Sequence, residues 1–179
     1  MKISIEKVTT NDIQKLQTIG RQTFFETFAN VNTAENMRDY LENSFSAEKL
    51  RTELNNRESK FYFALVDGHI VAYLKINFGE AQTEAIEDAI EIERIYVLMA
   101  FHGKRVAQTL YQKAIDIAHE LQVSCIWLGV WEENHRALRF YEKNGFKAFG
   151  KHAFWLGNDQ QTDLLMKKEL AHPNELNTL

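Results

Sequence analysis

A loop between a predicted strand and a predicted helix carries residues suited to binding a phosphate group. The strand Glu91–Val97 (EIERIYV) leads into this loop, and apolar residues at helical spacing follow over about 105–121. A helix start presents unpaired backbone N–H groups and the positive end of the helix dipole, which together attract anions. Gly103 permits a close backbone approach, and Lys104 and Arg105 add positive charge. The segment therefore indicates an anion site, although an ordinary strand–turn–helix crossover would look the same.

A second segment points to a particular chemistry. Asn134–Phe146 reads N-x-x-A-x-x-F-Y-x-x-x-G-F after a buried strand, and it resembles the second signature of the GCN5-related N-acetyltransferase (GNAT) superfamily. The first signature of that family is a strand ending in Val, followed by Q/R-x-x-G-x-G/A. Here His102–Ala107 follows Val97 at the expected distance, with His102 in place of Gln or Arg and Arg105 in place of the central Gly. We expect Arg105, in the first helical turn, to need no positive φ.

The resemblance extends over nearly the whole chain. Five further segments are similar to the bacterial PaiA type of spermidine/spermine acetyltransferase: residues 24–28 (FFETF), 36–41 (NMRDYL), 92–96 (IERIY), 126–132 (IWLGVWE) and 161–166 (QTDLLM). This similarity implies an α/β fold with a GNAT-like mixed central sheet, whose splayed parallel strands are flanked by helices.

The family resemblance also implies acetyl-CoA as the co-substrate. The pantetheine arm would lie along the first parallel strand, and the pyrophosphate would sit on the loop 102–107. The implied cofactor-binding residues are Ile95, Tyr96, Val97, His102, Gly103, Lys104, Arg105, Val106, Ala107, Asn134 and Tyr141. The acetyl carbonyl would point into the gap between the splayed strands, where an amine attacks it directly and the CoA thiolate leaves.

Tyr141 matches the general acid of the family, which protonates the departing thiolate. It lies seven residues after Asn134, so two helical turns bring both residues to one side of the helix. Without the motif, Phe140 and Tyr141 would be interpreted as core aromatic residues.

Two carboxylates on the predicted strand are candidates for the base that deprotonates the amine. Strand periodicity places Glu91 and Glu93 on the same face as Ile95 and Val97. Both match positions where family members carry a catalytic or water-relaying Glu, and a carboxylate in an apolar strand is costly without a function or a partner. A salt bridge or a solvated strand end would explain the same pattern, and the sequence does not choose between the two residues.

The segment before the reaction strand is strongly acidic. Residues 76–93 contain no Lys or Arg but six acids, namely Glu80, Glu84, Glu87, Asp88, Glu91 and Glu93. Such a segment can focus a cation toward the acetyl group, although a solvated acidic loop would look the same. With the PaiA-like resemblance, it favours a polyamine as the acceptor. The candidate substrate contacts are Glu84, Asp88, Phe28 and Tyr40, the aromatic rings lining the methylene chain.

Two other functions stay open. The first keeps the chemistry and changes the acceptor to another small amine or a protein amino group. The second is a non-catalytic acyl-CoA-binding regulatory domain, which the degenerate first signature would allow. Measurable turnover would distinguish either enzyme from the regulatory domain. A screen of acceptors by thiol release would distinguish a polyamine acetyltransferase from one that acts on another amine.

Composition indicates a cytoplasmic, single-domain protein. The chain has 179 residues and a formal net charge of -4, which does not favour nucleic-acid binding. No apolar run approaches the length of a membrane span, and the N-terminus lacks a signal-peptide pattern. One cysteine excludes an internal disulfide, and the six histidines lack metal-ligand spacing, so we expect no metal. We expect one domain over residues 1–171 and a frayed tail over 172–179, and the family resemblance allows a homodimer.

The elements that must position these residues alternate between strands and helices, in the order βααα-ββ-β-α-β-α-ββ. Strands are predicted at residues 2–8, 61–66, 70–78, 91–97, 125–130, 146–150 and 162–168. Helices are predicted at about 11–28, after Thr33, after Ser46, at about 105–121 and at 134–143, with a loop over 79–90.

Overall fold

Seven strands form the framework of the protein, seen in a computed structural model that describes residues 1–171. The strands are β1 (Ile3–Lys7), β2 (Ser59–Val66), β3 (His69–Phe78), β4 (Ala89–Val97), β5 (Cys125–Trp131), β6 (Lys147–Leu156) and β7 (Asp159–Glu169). They form one mixed sheet in the order β1-β2-β3-β4-β5-β7-β6. The tail predicted at 172–179 lies outside the described residues.

Five α-helices cover this sheet: α1 (Ile13–Phe28), α2 (Ala34–Ser44), α3 (Ala47–Asn55), α4 (Val106–Glu120) and α5 (His135–Lys143). α4 and α5 pack on one face, around buried residues such as Leu110 and Ile126. α1, α2 and α3 pack on the other face, around Phe24, Leu50 and Tyr73. The predicted α/β fold with a mixed central sheet is therefore confirmed. Within residues 1–171, none of the helices combines the length and apolar character that crossing a bilayer requires.

Local signals in the sequence explain where several elements begin. The side chain of Thr33 accepts a hydrogen bond from the Asn36 N–H and caps α2, and that of Ser46 accepts one from the Lys49 N–H and caps α3. The Asp67-Gly68 pair turns β2 into β3, with positive φ at both residues, as a two-residue hairpin requires.

The C-terminal hairpin is longer than predicted. β6 and β7 pair from Lys147 opposite Lys167 to Leu156 opposite Asp159, with a register shift between Ala148 and Gly150, and Gly157 in the connecting turn has φ of 63°. β4 also begins at Ala89, inside the segment predicted as a loop. Because β6 is the edge strand, many of its side chains are exposed, and this polar pattern hid its full length.

A β-bulge interrupts β4 where it pairs with β3. Lys75 lies opposite Arg94, whereas the next residue, Ile76, lies opposite Ile92, so Glu93 is the extra residue. An extra residue in one strand reverses the alternation of side chains beyond it.

The bulge decides which face of the sheet the two predicted base residues occupy. Ile95 and Val97 pack in the core below α4, whereas Glu91 and Glu93 both bind the Asn77 amide on the face covered by α1–α3. The prediction that Glu91 and Glu93 share a face with Ile95 and Val97 is therefore wrong. A strict two-residue period cannot anticipate the insertion.

The parallel strands β4 and β5 separate soon after they meet. Their pairing covers only Ala89, Ile90 and Glu91, opposite Cys125, Ile126 and Trp127. From Ile92 onward the two strands run apart and leave a gap in the middle of the sheet, as the family resemblance implied.

Candidate active site

A cavity of about 340 Å³ lies between the end of β4, the loop before α4 and the start of α5, and is called here the α4 cavity. It is lined by Thr27, Ile95, Tyr96, Val97, Phe101, His102, Gly103, Arg105, Val106, Ala107, Gln108, Asn134, Arg136, Ala137, Phe140 and Tyr141. Every predicted cofactor-binding residue lies here except Lys104, whose ammonium lies 4.8 Å from the centre of the Phe101 ring. The sequence interpretation missed the other six lining residues, namely Thr27, Phe101, Gln108, Arg136, Ala137 and Phe140.

The loop before α4 has a backbone that differs from our expectation at Arg105. Arg105 is the N-cap of α4 and has φ of 63° in the left-handed region, so the prediction that it needs no positive φ is wrong. A side chain in this region costs about 1–2 kcal/mol, which explains why the family signature has glycine there. No side chain among the described residues caps α4, so the N–H groups of its first turn can face an anion in the cavity.

Arg105 provides a test of the loop. We expect Arg105→Glu to weaken acetyl-CoA binding much more than Arg105→Gly, because a carboxylate repels phosphate whereas glycine only removes a cation and suits the positive φ. Calorimetric titration of acetyl-CoA into both variants measures the difference. Arg105→Gly should also keep or slightly raise the free energy of unfolding. Equal affinities would exclude contact between this side chain and the phosphates.

The His102 side chain connects the end of β4 to α5 at the edge of the α4 cavity. Its Nε2 lies 2.8 Å from the Val97 carbonyl oxygen, to which Nε2–H donates, and its Nδ1 accepts a hydrogen bond from the Arg136 guanidinium. Burial, with the nearby Arg136 charge, lowers the pKa of His102 and favours the neutral ring. The contact also holds Arg136 at the cavity wall.

Tyr141 lies on α5 between the splayed strands. The ring is buried, and within residues 1–171 the hydroxyl makes no hydrogen bond to a protein group. Burial raises the pKa of Tyr141, so the phenol keeps its proton at neutral pH. Asn134 caps α5 by accepting a hydrogen bond from the Ala137 N–H, and it lines the same cavity two turns away, as the spacing predicted.

A second cavity, of about 350 Å³, lies on the face covered by α1–α3 and is called here the α2 cavity. It is lined by Phe24, Phe28, Tyr40, Thr83, Glu91, Ile92, Glu93, Arg94, Ile95, Tyr96, Gly129, Val130, Trp131, Asn134, Ala137, Tyr141, His152, Ala153, Phe154 and Asp163. Five of these residues also line the α4 cavity, namely Ile95, Tyr96, Asn134, Ala137 and Tyr141. The two cavities therefore meet at the gap between β4 and β5, beside the Tyr141 ring.

Glu91 lies in a well-formed hydrogen-bond site. Its carboxylate accepts from the Asn77 amide at 3.0 Å, from the Thr83 N–H at 2.9 Å and from the Thr83 hydroxyl at 2.5 Å. The residue is 2% exposed, and burial raises its pKa although these hydrogen bonds act in the opposite direction.

Glu93 belongs to a buried ion-pair network that the sequence interpretation missed. Its carboxylate lies 2.5 Å from the Lys75 ammonium and 3.1 Å from the Arg94 guanidinium. Glu53 of α3 completes the network, 3.2 Å from Lys75 and 3.5 Å from Arg94. Burial opposes ionisation of Glu93, but Arg94 and Lys75 outweigh it and lower the pKa.

The acidic segment before β4 contacts the sheet through consecutive residues. Gln82 accepts a hydrogen bond from the Trp127 indole N–H at 2.7 Å, Thr83 binds Glu91, and Glu84 lies 2.9 Å from Nδ1 of His152. Glu84 thus contacts a lining residue of the cavity but does not itself line it. Asp88, the other acidic residue predicted to contact the substrate, does not line the cavity and accepts hydrogen bonds from Ser124 through its backbone carbonyl.

The predicted aromatic contacts do line the α2 cavity. Phe28 and Tyr40 belong to a continuous aromatic wall in which Phe24 lies between them, with ring centres 4.5 Å and 4.3 Å away. Trp131 packs against Phe28, and Phe154 packs against Tyr40. The sequence interpretation missed both outer members of the wall, because one lies on β5 and the other on β6.

These features define an acyl-CoA-dependent acyltransferase: parallel strands that separate, a helix N-terminus beside one cavity and an acid-lined cavity opposite it. The model of the acetyltransferase (GNAT) family matches residues 24–146, and the chain belongs to that family. The protein is an N-acetyltransferase that uses acetyl-CoA.

Individual relatives agree with this assignment. An uncharacterised N-acetyltransferase in the pepI 3′ region of Lactobacillus delbrueckii subsp. lactis is 38% identical over 94% of this chain and 98% of its own length. Spermidine N(1)-acetyltransferase of Thermoplasma acidophilum is 25% identical over 82% of this chain and 89% of its own length. The crystal structure of the PaiA N-acetyltransferase of Thermoplasma acidophilum in complex with coenzyme A covers 95% of this chain and 100% of that one, with a TM-score of 0.78 and 24% identity. The predicted similarity to the PaiA type is confirmed.

Proposed function

We propose that the protein transfers the acetyl group of acetyl-CoA to a primary amine of a small polycation, with spermidine and spermine as the preferred acceptors. The observation that carries the proposal is the meeting of the two cavities at Tyr141. The α4 cavity has the helix N-terminus and basic residues that suit a phosphate-bearing cofactor, and the α2 cavity opens onto the same gap from the opposite face.

The charges of the α2 cavity favour a cation. In the network of Glu53, Glu93, Lys75 and Arg94, the two negative and two positive charges balance. Among residues 1–171 the hydrogen-bond donors to Glu91 are neutral, so the ionised form of this carboxylate has no cation as a partner there. An enclosed wall with an unbalanced negative charge attracts an ammonium group.

The aromatic wall suits the rest of a polyamine. The wall presents ring faces and edges that can pack against methylene groups, and its members are Phe24, Phe28, Tyr40, Trp131 and Phe154. An ammonium group over a ring face gains a cation–π attraction. The spermidine acetyltransferase of Thermoplasma acidophilum supports this choice of acceptor.

Tyr141 is proposed as the general acid. The amine nitrogen attacks the acetyl carbonyl carbon in the gap, and the C–S bond breaks as the carbonyl re-forms. The sulfur takes the electron pair and then the proton of the Tyr141 hydroxyl, which no other described group holds. The base role of Glu91 or Glu93 stays a prediction. Glu91, whose pKa is raised, suits it better than Glu93, which two cations hold ionised.

An acceptor panel tests the proposed substrate. We expect kcat/KM for spermidine and spermine to exceed that for alkyl monoamines of matched length, because only the polyamines carry a further charge for the acidic cavity and its approach. Thiol release from acetyl-CoA measures each rate.

The preference for polyamines should shrink as ionic strength rises from about 0.05 M to about 0.5 M, since salt shortens the range of exposed charge attraction. A preference that is absent, or that is indifferent to salt, would instead favour another small amine or a protein amino group as the acceptor.

A further inference from the structure

His152 is held in an orientation in which only one ring nitrogen, Nδ1, makes a hydrogen bond within residues 1–171. It lies on β6, opposite Asp163 of β7, and its Nδ1 lies 2.9 Å from an oxygen of Glu84. An ionised carboxylate can only accept hydrogen bonds, so Nδ1 carries the proton of the neutral ring and Nε2 keeps its lone pair.

The Nε2 nitrogen faces the opening between the splayed strands. A Cβ atom placed on Gly129 would lie 3.5 Å from both His152 Nε2 and Asp163 Oδ2. Gly129 lies two residues beyond Trp127, the last residue of β5 that pairs with β4, so it borders the gap. His152, Asp163 and Gly129 all line the α2 cavity together with Tyr141, and the missing side chain of Gly129 leaves room for a ligand atom.

Asp163 is suited to hold an ammonium group beside His152. Its Oδ2 lies 3.5 Å from His152 Nε2, too far for a good hydrogen bond, and its Oδ1 is buried with no hydrogen-bond partner in the part of the chain that the structure describes. An ammonium group between the two side chains would donate to both of them.

The carboxylates of β4 are less available for the same task. Glu93 is engaged by two cations, and Glu91 already accepts three hydrogen bonds and is 2% exposed. His152, by contrast, is 28% exposed in its side chain.

We propose that His152 Nε2 is the atom that removes the proton from the acceptor ammonium, with Glu84 as the residue that positions the ring and Asp163 as the residue that seats the ammonium. The proposal rests on the proposed acetyl transfer to an amine. It assigns a catalytic base on β6, distinct from the β4 carboxylates.

The ammonium passes one proton to Nε2, and its freed lone pair forms the C–N bond with the acetyl carbon. The C–S bond breaks, and the thiolate takes the Tyr141 proton. The nitrogen loses its second proton, which restores the Tyr141 hydroxyl through solvent, and the imidazolium returns its proton to solvent. One ammonium and one acetyl-CoA give one amide, one CoA thiol and one proton.

His152→Gln tests the base, with His135→Gln as the matched control on the exposed start of α5. At pH about 7.5 we expect kcat of His152→Gln to fall by about 10² or more while acetyl-CoA affinity stays the same. The deficit should shrink toward pH about 10, where an alkylamine supplies its own free base. Glu84 and Asp163 are the charged groups in contact with His152, and the other ionisable or charged groups that line the same cavity are Tyr40, Glu91, Glu93, Arg94, Tyr96 and Tyr141.

Two more variants separate the alternatives. His152→Ala should regain part of its kcat when imidazole is added, whereas Tyr141→Phe should not. The proposal would be overturned if His152→Gln lost the same fraction of kcat at every pH. It would also be overturned if the loss of kcat depended on pH in Glu91→Gln but not in His152→Gln. The parent enzyme is assayed on the acceptor panel in parallel. A parent that prefers another amine therefore refutes the polyamine, while the His152 series on that amine still decides the base.

Discussion

Tyr141→Phe should lower kcat by about 10² to 10⁴ while leaving acetyl-CoA affinity within a few-fold of the parent. The substitution removes only the hydroxyl, which forms no hydrogen bond with residues 1–171, so packing of the buried ring is retained. Because burial raises the pKa of Tyr141, the hydroxyl is a proton donor throughout the neutral range. The loss should therefore appear in the step that expels the thiolate.

Tyr111→Phe is the matched control for this experiment. Tyr111 is also a buried tyrosine packed against Phe140, but it lies outside both cavities and its hydroxyl accepts a hydrogen bond from Lys168. Steady-state kinetics and calorimetry on both variants measure kcat and affinity separately. Turnover of Tyr141→Phe within a few-fold of the parent would show that the hydroxyl is not the acid. A parallel collapse of affinity would make Tyr141 a binding residue.

Lys75→Met should lower the free energy of unfolding by about 3–5 kcal/mol. Lys75 is 5% exposed and neutralises two carboxylates, those of Glu53 and Glu93, so its loss leaves a buried negative charge with Arg94 as the remaining partner. Removing one member of a buried ion pair costs this much because the other charge stays desolvated. Lys151→Met, which removes an exposed partner of Glu132, should change stability by about 0–1 kcal/mol.

Denaturant unfolding at several pH values measures both lysine variants. The folded protein holds the pKa of Glu93 below its ordinary value, so this residue stabilises the parent above pH about 4.3, and the contribution is lost as pH falls through the lower folded value. In Lys75→Met that contribution should be smaller, and the variant should lose less stability on acidification. Equal stability of the two lysine variants at neutral pH would show that Arg94 alone compensates the network.

The amino-acid sequence alone determined the cofactor side of the site. Its residues come from three short, contiguous segments. Val97 ends a strand, the loop 102–107 leads into a helix, and Asn134 and Tyr141 lie on one side of a helix. Local backbone geometry sets how such a segment presents its groups, so the family signatures in these segments were enough to imply residues that line one cavity. The departure at Arg105 was visible as well, but its left-handed backbone was not, because the conformation follows from how the loop joins α4.

Tertiary structure alone decided the acceptor side. Glu91 and Glu93 were found from the sequence, but the bulge opposite Lys75 moved them to the other face. His152 and Asp163 come from the C-terminal hairpin, and Glu53 comes from α3. These residues are distant along the chain, and no local period or capping rule links them. Their contacts depend on strand order, on register and on one extra residue in β4, because a shift of one position exchanges the two faces of a strand.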